Sequence, residues 1–442
     1  MRVTSFVNLL GFFGVFLAAH VASAQQLSRA DAVAQALAAN PQVKISLAQV
    51  AYLEGRITEA RADALPDLSW NSVAMRSRDP GLLNSPNFDQ FPAEFRTALS
   101  PIPANAFSTS ADLRQTLFSF KLGNALAAAR LAREAGQQDV QRARQQTALD
   151  AVRSYNQLLF AIEALRVIQT NVESKQSHLE FARNRRAAGA ATELEVLRAE
   201  VDLENARADQ LRAENDVAAA RATLNTVMLR PTNTPIQPTD SLAVVAFSGE
   251  FDEAVKEALS ARPELQTLRL QALFQGKLVA VEAAEAKPRI DFNGSLGYAV
   301  RRTQNLFDWN YSRWSGVVTV KVPLFDGLRS GGRVAQARAQ TNTVIQQIAA
   351  LENQVRLDVQ SAWDALAVAE RLVQAADLNV TQARRAAEMT EANYRLGAAT
   401  QLDVTDAQQA LRQAENTRNQ GLLLHSNARS TLRYVMGRDP LQ

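Results

Sequence analysis

Residues 122–187 and 330–395 form two proline-free stretches of 66 residues each. Both are dominated by Ala, Gln, Arg and Glu, which favour helix. The second has glycine only at Gly331 and Gly332, close to its start. At about 1.5 Å per residue, each helix would span on the order of 100 Å. No compact domain made from 442 residues contains a helix that long. The chain must be elongated, with its helices packed side by side. The frequent alanines allow close approach, while Leu, Val and Ile supply the interlocking knobs.

The chain is also written twice. Residues 181–230 align without a gap on 389–438: Gly189, Ala190, Ala191, Thr192, Leu194 and Val196 return as Gly397, Ala398, Ala399, Thr400, Leu402 and Val404. A second block, "ADAVAQALAANPQV" at 30–43, returns as "DEAVKEALSARPEL" at 252–265, and at that register Pro66 falls on Pro288. A period this long points to duplication rather than to a solenoid of short repeats. The first repeat occupies 25–230 and the second 250–438, with the Pro/Thr-rich stretch 231–249 as linker. Each half reads as a short helix, a medium helix ending before Pro66 or Pro288, two strands, a very long helix, a G-A-A-T turn and a further helix (192–228 and 400–436).

The strands are expected at 67–77, 108–118, 289–300 and 313–324, from period-two alternation. Ile290, Phe292, Leu296, Tyr298 and Val300 share one face, against Asp291, Asn293, Ser295 and Gly297 on the other. Trp314, Val318, Val320 and Val322 likewise oppose Ser315, Thr319 and Lys321. The first half alternates less cleanly, with Leu68 and Trp70, and then Ala111 and Leu113, as its apolar positions. Each stretch is about ten residues, the length of a tilted transmembrane strand. Tyr298, Trp309, Tyr311 and Trp314 gather around the second hairpin as interface aromatics would; a soluble ribbon with core aromatics is the other reading.

The first 24 residues have a basic Arg2, an apolar run and Ala22-Ser23-Ala24, the pattern of a cleaved secretory signal. The run is short for a membrane anchor, and no later run is long and apolar enough for a spanning helix. There is no cysteine, which excludes disulfides, cysteine-ligated metal and a cysteine nucleophile. The net charge of +3 is spread through interspersed charges, so no nucleic-acid patch stands out. His178 and His425 sit in helix-like sequence without a partner at metal-binding spacing. The chain is therefore expected to be no enzyme, with no cofactor and no metal.

Four membrane strands cannot close a barrel, and open sheet edges are not tolerated in lipid. Several chains must share one barrel, with their helices extending from it as a wall whose natural use is a conduit. Here the chain resembles the TolC-like outer-membrane efflux proteins. The resemblance covers the duplicated halves, the four strands, the long helices and the phrase "YRLGAATQLDVTDAQQAL". It implies a mainly α fold with a membrane β-barrel contribution. It further implies a homotrimer with a twelve-stranded barrel in outer-membrane lipid and a helical tunnel crossing the periplasm. The implied function is a passive, gated exit duct of a tripartite efflux or type I secretion system. Its implied partners are a periplasmic adaptor (membrane fusion) protein and an inner-membrane pump. A periplasmic adaptor-like coiled-coil protein is the alternative, but it would normally carry one hairpin rather than two.

The repeated phrase has a local reading. Gly189 and Gly397 suit the left-handed residue that ends a helix. Thr192 and Thr400 suit the N-cap of the next, and Glu195 and Asp403 then fall at the third helical position, completing a capping box. These residues mark the hairpin tips, where the resemblance places adaptor contact. Asp406 lies three residues after Asp403, on the same helical face, where the first repeat has Arg198. In a trimer the pair would recur as a carboxylate ring that attracts cations. The resemblance assigns Asp403 and Asp406 to the periplasmic constriction, and Tyr394 with Glu195 to the network that closes it. The family's gate arginine is replaced here by Ala399, so that salt link is missing.

Overall fold

A computed structural model describes residues 25–98 and 103–441; the expected signal segment, 1–24, lies outside them. The first half runs β1 (Gln25–Leu27), α1 (Arg29–Ala39), α2 (Pro41–Ala62), β2 (Asp67–Ser77), α3 (Ala93–Ala98), β3 (Ala104–Ser119), α4 (Phe120–Ala187) and α5 (Glu193–Val227). After β4 (Ile236–Pro238), the second half runs α6 (Phe251–Ala261), α7 (Pro263–Ala284), β5 (Arg289–Val300), β6 (Ser312–Lys321), α8 (Arg329–Arg395) and α9 (Gln401–Val435). At 68 and 67 residues, α4 and α8 are each about 100 Å long.

The packing follows from the spacing of small and branched residues. In α8 the buried positions between 355 and 380 are Val355, Val359, Ala362, Leu366, Ala369, Val373, Ala376 and Val380, alternating steps of four and three. In α5 the series Val196, Ala199, Leu203 and Ala206 resumes at Ala213, Val217, Ala220 and Leu224. A sustained 3.5-residue repeat is that of left-handed coiled coils. Accordingly α4 packs on α5 and α8 on α9, while α2 and α7 continue those layers toward the sheet and α4 also touches α9. Gly136 permits the close approach of α2: a Cβ there would stand 2.8 Å from Leu53 Cδ1.

The four long strands form one antiparallel sheet in the order β2-β3-β5-β6. Its register puts Leu68 opposite Leu113, Trp70 opposite Ala111, Ala111 opposite Leu296, and Leu296 opposite Trp314. Leu68, Trp70, Leu113, Leu296 and Trp314 thus share one face, and Trp314 on it is 76% exposed. The opposite face is mainly polar, with Val73, Met75 and Val317 as its apolar exceptions. There Asp112 accepts hydrogen bonds from Asn71 Nδ2 at 2.7 Å and Ser295 Oγ at 2.6 Å. A bulge between Thr116 and Phe118 shifts the register, which places Phe118 opposite Ile290 on the apolar face. The last strand ends at Lys321, short of the expected 324. Among the described residues β2 and β6 each lack a second neighbour.

The segment 231–249 is tied down rather than free. Its β4 pairs in parallel with β1, and Tyr155 of α4 sits beneath both. The Tyr155 hydroxyl lies 2.8 Å from the Leu27 carbonyl and 2.8 Å from the Asp240 carboxylate. Burial pushes its pKa up to about 12. Three residues, one of them Pro238, carry too little alternation to be read as a strand.

Candidate functional site

Both long helices end by the same local chemistry. Gly189 (φ +75°) and Gly397 (φ +78°) take the left-handed conformation. The Ala190 N–H donates to the Arg185 carbonyl and the Ala398 N–H to the Asn393 carbonyl, each at 2.8 Å, closing the exposed carbonyl ends. Thr192 and Thr400 then cap α5 and α9. The Asp403 carboxylate accepts from the Thr400 N–H at 2.8 Å and from its hydroxyl at 2.6 Å, while the Asp403 N–H donates back at 3.2 Å. Glu195 and Thr192 make the same box more loosely, at 3.3 to 3.5 Å. The Thr400 hydroxyl, followed by its backbone N–H, holds the Asp403 carboxyl below the usual carboxylate range.

Asp406 is exposed, and among the described residues it makes no ion pair or hydrogen bond within the chain. Capping therefore accounts for Asp403 and leaves Asp406 unexplained by helix formation.

Tyr394 is buried against α4 of the other repeat. Its ring meets Phe181 edge-on at 5.6 Å and lies 6.5 Å from His178. The Arg185 guanidinium stands 5.7 Å from the ring centre. Its Nη1 is 3.4 Å from the Tyr394 hydroxyl, and its Nη2 donates to the Ala190 carbonyl at 2.8 Å. From α9, Gln408 Nε2 donates to Ser174 Oγ at 3.0 Å and lies 2.7 Å from His178 Nε2. Burial, then the charge of Lys175, lowers the His178 pKa. Among the described residues no hydrogen bond joins Tyr394 to Glu195, which is engaged in its own cap. The structure thus gathers Tyr394 with Arg185, Phe181, His178 and Gln408, a set the sequence reading missed. One signal was available: 178, 181 and 185 are three and four residues apart, hence on one helical face.

Between the hairpins, Leu194, Leu197 and Val201 of α5 face Leu402 and Thr405 of α9 across an open cavity of about 430 Å³. Leu402 is 67% exposed and Leu197 51%. No group of side chains that could hold a metal ion occurs among the described residues.

The outer membrane efflux protein family model matches residues 32–228 and 254–438, one match per repeat. The chain is 25% identical over 397 residues to outer membrane protein OprJ of Pseudomonas aeruginosa, covering 86% of this chain and 77% of that one. It is 24% identical over 421 residues to outer membrane protein TolC of Escherichia coli, covering 90% and 80%. Among solved structures, the Campylobacter jejuni CmeC outer membrane channel superposes with a TM-score of 0.77 at 18% identity, covering 92% of this chain and 85% of that one. That agreement establishes the fold, a helical tunnel continuous with a barrel. The chain belongs to the outer membrane efflux protein family, channel proteins of the outer membrane whose general role is efflux.

Proposed function

We propose that the chain is the exit duct of a tripartite efflux or type I secretion system, working as a homotrimer. The observation that carries this reading is a four-stranded sheet with both edges open, joined to helices of about 100 Å. Open edges are not tolerated in lipid, and three such sheets supply the strands of one closed barrel. The helices below it then form a tunnel through the periplasm.

The tips form the periplasmic gate in this reading. Asp403 and Asp406 recur around the axis as a constriction, and Tyr394 holds the second hairpin against the first. Glu195 fixes the first hairpin's turn and thereby the approach of its neighbours. With alanine at 399, closure rests on the Arg185–Tyr394 contact in place of an arginine from the turn itself. The apolar groove between Leu197 and Leu402, flanked by the turns at Gly189, Thr192, Gly397 and Thr400, suits the helical end of a periplasmic adaptor. An inner-membrane pump supplies the cargo. The test is crosslinking in cells followed by purification from the outer-membrane fraction. A heat-modifiable trimer carrying an adaptor and a pump is expected; a soluble periplasmic monomer overturns the reading.

A further inference from the structure

Where the sheet meets the helices, five segments wall a cavity of about 400 Å³: the start of α4, the α7–β5 junction, the end of β6, the β6–α8 connection and the start of α8. Six cationic side chains line it against two carboxylates, Glu285 and Asp326. Both carboxylates are already engaged. Glu285 is paired with Lys121 at 2.6 Å, and Asp326 accepts the Ser330 N–H at 2.8 Å. Arg289 is paired with Asp291 at 2.8 Å, and Arg333 lies 4.0 Å from Glu282. That leaves Lys287, Lys321 and Arg329 without a carboxylate partner among the described residues; Lys287 rests only on the Phe120 ring, at 4.7 Å.

These three come from separate elements yet line one space, where six cations against two carboxylates leave an excess of positive charge. Lys321 and Arg289 are cross-strand partners on the polar face, so the cavity opens on that face at its helical end. The apolar series Trp314, Val318, Val320 and Val322 runs past Lys321, and just beyond it Leu324 and Phe325 are 94% and 83% exposed. The cavity thus lies at the helical end of the sheet, where exposed apolar side chains meet a cluster of charged ones. Its volume exceeds that of a bare phosphate, leaving room for a substituent.

We propose that this cavity is an oxyanion site taking a phosphate group, with Lys287, Lys321 and Arg329 as its ligating cations. Arginine offers a planar fork and the lysines offer point charges, a combination that matches phosphate oxygens. Two sources carry that chemistry: the phosphodiester of a lipid headgroup, and a phosphate-bearing solute in the aqueous space. The site lies within one chain and stands apart from the tips.

The full chain in neutral detergent tests the proposal, by ³¹P NMR titration with inorganic phosphate and, separately, with short-chain phosphatidylglycerol. Saturable binding of at least one probe is expected. Lys321→Gln with Arg329→Gln should weaken it by roughly tenfold or more, the scale of losing a charge-assisted contact. Lys287→Gln, which disturbs no ion pair, should also weaken it and guards against misfolding of the double variant. Binding of phosphatidylglycerol alone identifies a lipid headgroup; binding of both probes identifies phosphate itself. No saturable binding of either probe, or affinities unchanged in both variants, overturns the site.

Discussion

The Arg185 guanidinium lies 5.7 Å from the centre of the Tyr394 ring, so the last turn of α4 in the first repeat holds the last turn of α8 in the second. Arg185 also donates to the Ala190 carbonyl in its own turn. One side chain thus couples the shape of the first hairpin to the position of the second. Cation–π contact and a hydrogen bond of this kind contribute about 1 kcal/mol each. Arg185→Ala removes both and is therefore expected to raise the open-to-closed ratio of single channels in planar bilayers roughly thirtyfold, while Tyr394→Phe, which keeps the ring, has a smaller effect. Equal effects of the two would place the closing force in the hydroxyl instead.

The two aspartates should separate by measurement. Asp403→Ala removes a capping box and should cost about 1 kcal/mol of stability. Asp406→Ala, at an exposed position without a partner, should leave the thermal midpoint within error. Both, singly and together, should reduce cation selectivity and divalent block of single channels. If Asp406→Ala alters stability but leaves selectivity intact, the carboxylate ring is the wrong picture.

His178 makes the tips sensitive to acid. Its folded pKa is lowered, first by burial, then by Lys175, with Arg395 acting in the same direction and Glu391 and Asp202 opposing. The folded tips thus bind this proton less readily than the unfolded chain does. The stabilisation is present above the ordinary histidine value of about 6.5 and is lost as pH falls below it. Protonation also sets an imidazole N–H against the Gln408 amide that now faces it. Between pH 7.5 and 5.5 the thermal midpoint of the wild type should drop more than that of His178→Gln. Parallel drops would show that other groups carry the acid sensitivity.

The parts of this molecule that were legible in the sequence are those whose cause is local. The long helices follow from composition and the absence of proline, and the turns from Gly397, Thr400 and Asp403 within seven residues. The sheet faces follow from alternation. The contact of Arg185 with Tyr394 joins residues 209 apart, and only helix packing brings them together. The linker strand was hidden for a different reason: β4 is held by β1 and by Tyr155 rather than by its own side-chain pattern. The bulge at Leu117 escaped because one extra residue reverses the alternation that would have revealed it.

The duplicated helix ends offer an internal comparison. Gly437 takes φ +79°, while its counterpart Leu229 takes φ +54°, a region that costs a non-glycine residue about 1 kcal/mol. Leu229→Gly should therefore raise stability by a fraction of 1 kcal/mol after its own entropy cost. Gly437→Ala should lower it by more than strain alone, because its Cβ would stand 2.9 Å from the Ala261 carbonyl carbon. Thermal unfolding of the two variants checks both signs; a stabilising Gly437→Ala would contradict the close approach.

Because the chain has no cysteine, the pairing of sheet edges between chains can be tested directly. Around a shared barrel, β6 of one chain must run antiparallel to β2 of the next. Ser69, Asn71 and Val73 on β2 share the polar face with Ser315, Val317 and Thr319 on β6, by the observed register. Single cysteines at one position of each set, combined pairwise, should include at least one combination within disulfide reach, about 4.4–6.8 Å between Cα atoms. That combination should yield a covalent trimer on a non-reducing gel after mild oxidation in membranes. Pairing Ser69→Cys with Val318→Cys should not crosslink, because neighbouring strand residues point to opposite faces. If no same-face combination yields a covalent species larger than the monomer, β2 and β6 are not partners, and the open edges must be covered in some other way.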